Sequence, residues 1–155
     1  MTWQYLVFDY IYNLNKKNMS LNVYLFFNGN CEEAMNFYKD CTGGNILSLQ
    51  RFGDTPMPCE ESQKSKVMHA VMDIQGSKVM LSDSHSKQHA NIGDNFSLAL
   101  DFKSEETIND CYAALSNGGK ITMPLQETFW GAVFGMCTDK FGVNWMFNYD
   151  KPKSE

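Results

Sequence analysis

One pattern runs through this chain twice, and a duplicated unit constrains the fold more than any single motif does. In the first copy Leu21, Val23, Leu25 and Phe27 alternate with Asn22, Tyr24, Phe26 and Asn28, the period of a strand with one buried face. Asn30 stands where it can cap a helix, with Glu33 three residues on in capping-box position. Ala34, Phe37, Tyr38 and Cys41 then fall on one helical face, and Gly43-Gly44 supplies a C-terminal stop. Strands follow over 46–52, 67–74 and 79–83, the last two forming a hairpin across Gln75-Gly76-Ser77. Between them 54–65 reads as a polar loop holding Pro56 and Pro58.

The second copy starts at Phe96. Phe96, Leu98, Leu100 and Phe102 alternate with Ser97, Ala99 and Asp101, and Ser104 caps a helix with Glu105-Glu106 in its first turn. Ile108, Cys111, Tyr112 and Leu115 repeat the apolar helical face, and Gly118-Gly119 ends it. Three aromatic-rich strands complete the unit, turning at Asp139-Lys140-Phe141-Gly142. Asp73-x-x-Gly76-x-x-x-Met80 matches Asp139-x-x-Gly142-x-x-x-Met146 in the same order as the other landmarks. The chain therefore reads as α+β, two βαβββ modules over 19–84 and 96–150. Residues 85–95 are read as a linker and 151–155 as a tail. Residues 1–18 break the pattern and are read as an extension outside the core, with Met19 as the natural start; the alternative is an arm that packs on a partner subunit.

With 155 residues and 43% hydrophobic content the chain can build a substantial core. A net charge of −5 and a single arginine, Arg51, argue against nucleic acid. Five cysteines without CxxC spacing suit reduced thiols in a cytoplasmic setting. No stretch approaches the ~18–20 apolar residues of a membrane span.

The tandem unit resembles the vicinal oxygen chelate superfamily, which includes glyoxalase I, extradiol dioxygenases and fosfomycin- and bleomycin-resistance proteins. The resemblance is closest to its PhnB-like branch. It rests on the run from Tyr24 to Tyr38, on His69-Ala70 before Gly76 and Met80 to Asp83, and on Trp130-Gly131 with Asp139-Lys-Phe-Gly-Val-Asn-Trp145. It spans about 20–150 and implies a curved mixed sheet around a cavity, a small-molecule ligand and a homodimer.

Superfamily enzymes hold a divalent ion with His, Gln or Glu from the first and last strands of each module. Here those positions fall near Asn22 or Tyr24, near Met80, near Ser97 and near Met146. Thioethers and amides replace the oxygen and imidazole donors that hard ions want. The expectation is no metal and no cofactor, although a different site built from His69, Asp83 and His85 is conceivable. The methyltransferase label that some branch members carry finds no strand–Gly-rich-loop–helix unit here.

Strand parity separates an apolar face, expected under the helices, from a mixed face expected to line the cavity. On the mixed side the candidate ligand-binding residues are Tyr24, Met80, Asp101 and Met146. Arg51 is a candidate anion clamp, Gln126 a polar anchor and Trp130 a ring beside a residue without Cβ. His69 is the candidate catalytic residue, since an imidazole titrates near neutrality; a hydrogen-bonded core histidine is the competing reading. For each of the others a structural role competes too, and Cys137 reads as a small buried hydrophobe. Three functions follow: a binding protein without metal chemistry, a lyase, isomerase or dioxygenase with an atypical site at His69, or a duplicated scaffold for protein partnership.

Overall fold

A computed structural model describes residues 20–84 and 89–152. The expectations for residues 1–18 and for His85 lie outside the described residues. The first module runs β1 (Val23–Phe27), α1 (Cys31–Thr42), β2 (Asn45–Arg51), β3 (Val67–Ile74) and β4 (Ser77–Asp83). The second runs β5 (Leu98–Phe102), α2 (Glu105–Ser116), β6 (Lys120–Glu127), β7 (Ala132–Thr138) and β8 (Asn144–Asp150). Each module folds into a four-stranded mixed sheet, in the orders β1-β4-β3-β2 and β5-β8-β7-β6. The parallel pairs are β1 with β4 and β5 with β8, and every other pairing is antiparallel. The loop before β3 is not featureless: it holds short 3-10 turns at Phe52–Asp54 and Glu61–Gln63.

Register refines the alignment of the two copies. Tyr24 faces Met80 as Ala99 faces Met146. Asp73 pairs with Lys78, whereas Thr138 pairs with Asn144. The second module's last hairpin therefore carries one residue more than the first, and Asp139 is displaced by one from Asp73. Both aspartates still cap their turns: Asp73 accepts from Gly76 N–H at 3.1 Å, and Asp139 from Phe141 and Val143 N–H at 2.8 and 3.0 Å. The other Asp139 oxygen accepts from Trp145 Nε1 at 2.8 Å.

The helix caps divide. Ser104 caps α2 as expected, its Oγ accepting from Thr107 N–H at 3.2 Å. Asn30 makes no side-chain cap bond to α1. Asp83, at the end of β4, does that work instead, one oxygen accepting from Gly29 and Cys31 N–H at 2.9 and 3.0 Å. Its second oxygen accepts from Val67 N–H at 2.9 Å, so one carboxylate ties β4, β3 and the helix start together.

On α2 the buried face is Ile108, Cys111, Tyr112 and Leu115, as the periodicity predicts. On α1 the fully buried face is Cys31, Ala34, Met35 and Tyr38, with Phe37 and Cys41 only partly covered. The face is wider than expected because α1 also meets the second module. Tyr38 packs edge-on against Trp145 at 5.4 Å, and Phe141 contacts Phe27, Phe37 and Tyr38 at 5.6–6.2 Å between ring centroids. Lys140 completes this seam, 4.9 Å from the Phe37 ring and 3.1 Å from Glu33. Leu25, Phe27, Val79 and Leu81 share one hydrophobic core with Leu100, Val143, Trp145 and Phe147. Leu21 and Phe96, assigned by parity to that buried face, are exposed because β1 and β5 begin two residues later than each of them.

Candidate functional site

β1 is an edge strand, and its alternation sends Tyr24 and Phe26 to the face away from the core. Their rings stack at 4.7 Å with 27° between planes. Tyr24 Oη lies 3.1 Å from His69 Nδ1, which comes from β3 on the same face. Tyr24 and Phe26 remain 36% and 60% exposed, an unusual state for two adjacent rings on a regular strand.

The rings border a cavity of about 670 Å³ between the modules. Phe52 and Met68 extend its wall on the first-module side, and Phe96 and Phe141 contribute from the second. Residues 89–93, read from sequence as linker, close one flank. Asn28 anchors that flank, donating to Ala90 C=O at 3.2 Å and accepting from Ala90 N–H at 2.8 Å. Ile92 is held against the Asp139 turn, where a Cβ on Gly142 would come 3.0 Å from its side chain. The volume falls in the ~300–1,000 Å³ range of small-molecule sites, which are mostly apolar with a few placed polar groups.

The residues singled out from sequence are scattered. Tyr24 lines the cavity. His69 reaches it only through the Tyr24 hydroxyl. Met80 is the cross-strand neighbour of Tyr24, half-buried on the same face, and Met146 sits half-buried beside Ala99 in the other sheet. Arg51 is engaged elsewhere. It clamps Glu32 through two hydrogen bonds of 2.7 and 2.8 Å and donates to Ser65 C=O at 2.7 Å. The Arg51 hydrogen bonds to Glu32 hold its carboxyl below its ordinary range. Asp101 accepts from Asn148 Nδ2 at 3.2 Å and borders a second inter-module cavity of about 1130 Å³, together with Cys41 and Cys111. Gln126 lies on edge strand β6, and Trp130 sits at the β6–β7 tip against Phe129 and Phe134.

Phe26 carried a signal in sequence, since it belonged to the mixed face. Phe96, Phe141 and the 89–93 flank did not. Their place at the cavity depends on how the modules dock, which no local period reports.

Cys31, Cys41, Cys111 and Cys137 are poorly suited to nucleophilic work. Burial pushes the Cys137 thiol up to about 12, with the Asp139 charge adding to it. Burial likewise raises Cys111 to about 12 and Cys41 to about 11. A thiolate is the reactive form, so these groups behave as small hydrophobes. Burial and then the Asp139 charge drive the Tyr38 phenol upward as well.

Two mixed sheets of this topology, built from a repeated βαβββ unit, define a class of proteins, and comparison with known sequences agrees. The chain belongs to the Glyoxalase/Bleomycin resistance protein/Dioxygenase superfamily, whose family model matches residues 20–147. It is 36% identical to Protein YjdN of Escherichia coli (strain K12) over 143 residues, covering 86% of this chain and 97% of that protein. Among solved structures it is similar to protein PA1353 from Pseudomonas aeruginosa, at 39% identity and a TM-score of 0.77, covering 86% of this chain and all of that one. It is also similar to the PhnB protein from Bacillus cereus, at 30% identity and a TM-score of 0.73, covering 84% and 99% of the two chains. It is thus a PhnB/YjdN-like member of the superfamily.

Many members of such a superfamily hold a metal, so the donor set here can be tested. The paired positions present a phenol and a thioether, Tyr24 with Met80, and a methyl and a thioether, Ala99 with Met146. These do not fit a hard divalent ion. Nor do three His, Cys, Asp or Glu side chains gather at a metal-holding distance anywhere among the described residues. Asp83, one member of the alternative site, already accepts three backbone hydrogen bonds, and His85 lies outside the described residues.

Proposed function

We propose that this chain binds a small organic molecule in the cavity between its modules, without metal chemistry. One observation carries the reading: two stacked, half-exposed rings on an edge strand border a cavity of suitable volume that both modules line. Burying the exposed faces of Tyr24 and Phe26 under a ligand would recover apolar area at about 25 cal/mol per Å². His69 acts as a positioning residue in this reading, holding the Tyr24 phenol through its Nδ1. Met80, the cross-strand neighbour of Tyr24, lies half-buried beside it on the same face.

A thermal-shift screen of small organic compounds and anions tests the reading. Stabilisation by at least one compound is expected, and the effect should fall in a Tyr24→Ala variant. A null result across the whole screen would overturn it.

The superfamily resemblance also implies a homodimer. Support comes from Phe129 and Trp130, exposed at 98% and 58% on the β6–β7 tip, the kind of apolar surface that partner subunits cover. Light scattering on the purified chain should give twice the monomer mass, and a monomer at micromolar concentration would remove this part. A cytoplasmic setting is supported by the five free cysteines. Among the described residues no helix is long and apolar enough to cross a membrane.

A further inference from the structure

We propose that the ligand taken by the inter-module cavity carries a planar aromatic ring system, laid face-on against the stacked Tyr24–Phe26 pair; this rests on the small-molecule reading above. The geometry that points to it is specific to rings. Tyr24 and Phe26 are two residues apart on one strand, so both project from the same face. They lie 4.7 Å apart and 27° from parallel, a stacked column in which each ring covers one face of the other and a planar guest can extend the stack at its free end.

The column is fixed at one end by the Tyr24–His69 hydrogen bond of 3.1 Å and left open at the other, where Phe26 is 60% exposed. From the second module Phe96, 48% exposed, and Phe141 present further rings to the same cavity. Phe141 is itself held in place by ring contacts to Phe27, Phe37 and Tyr38. An aliphatic guest would gain from this lining only the area it buries. A planar aromatic guest gains in addition from offset or edge-to-face contact, which corresponds to roughly two- to twelvefold in affinity for each ring pair.

The test compares two uncharged probes of the same carbon skeleton at neutral pH: naphthol and its fully saturated decahydro counterpart. Their affinities for the full chain are measured by isothermal titration or ligand-observed NMR. Naphthol should bind at least about fivefold more tightly than the saturated alcohol. Phe26→Leu and Phe96→Leu, which keep apolar bulk and remove the ring, should each narrow that gap. Both positions are substantially exposed, and unchanged circular dichroism would confirm that the variants fold. Equal binding of the two probes, or a gap that neither variant changes, would overturn the proposal. If naphthol fails while a non-aromatic compound from the screen stabilises the chain, the aromatic class is wrong and the binding reading stands. If nothing binds, both fall.

Discussion

At Asp83 one buried carboxylate accepts three backbone hydrogen bonds, from Gly29, Cys31 and Val67. Removing it strands three donors where water has little access, and each buried unsatisfied group costs about 1–3 kcal/mol. Asp83→Ala should therefore lower stability by about 3 kcal/mol or more. Asp83→Asn should cost less, because an amide oxygen still serves two of the donors while its NH2 faces the third. Denaturant midpoints for the two variants check the order. The thiols offer a second test at this scale. Cys31, Cys111 and Cys137 are buried, and Cys41 and Cys59 are half-buried. With burial raising Cys137 and Cys111 to about 12, a maleimide should label Cys59 first and reach Cys31, Cys111 and Cys137 only after unfolding. Mass spectrometry of the labelled peptides reads this directly, and fast labelling of Cys137 in the folded chain would contradict the packing described here.

At the scale of elements, the two modules solve the exit from the helix in the same way. Gly44 and Gly119 immediately precede the strands after α1 and α2, and a Cβ on either would meet a neighbouring strand's carbonyl oxygen, Asp73 at 2.7 Å and Thr138 at 2.2 Å. The constraint is close approach, since neither has the positive φ of Gly43 or Gly118. Gly119→Ala should destabilise by about 2 kcal/mol or more, and Gly44→Ala by less, as measured by thermal or chemical unfolding. Much of this level was legible in the sequence. Helix α2 obeys its periodicity residue for residue because it packs chiefly on its own sheet. Helix α1 departs from it because Phe37 and Cys41 look across to the second module, and tertiary contact sets its angle. Asn30 misled for a related reason: the acceptor for the start of α1 arrives from Asp83, 53 residues further along the chain. Of the candidate site residues, only Tyr24 and its partner His69 come together at the aromatic cavity. Arg51, Asp101, Gln126 and Trp130 share the chemistry of binding residues but not the place, and strand parity alone cannot separate those.

For the whole molecule, the two sheets share one hydrophobic core, and Tyr38–Trp145 and Phe27–Phe141 contacts cross the seam. Neither module closes its apolar face alone. The chain should therefore unfold in a single transition, with far- and near-ultraviolet circular dichroism coincident. Two separated transitions would mean that the modules are independent. A cavity at the seam depends on the same docking, so mutations that loosen it, such as Phe141→Ala, should weaken ligand binding along with stability. The donor chemistry at Tyr24, Met80, Ala99 and Met146 leads to a further expectation. Added magnesium, manganese or zinc at stoichiometric concentration should leave the melting temperature unchanged, since a ligand that binds only the folded state must raise it. The most direct measurement is a crystal structure of the chain with the strongest hit from the thermal-shift screen. Density for that compound is expected against Tyr24 and Phe26, with Phe96 beside it. Density in the second cavity near Asp101 would contradict the assignment of the site.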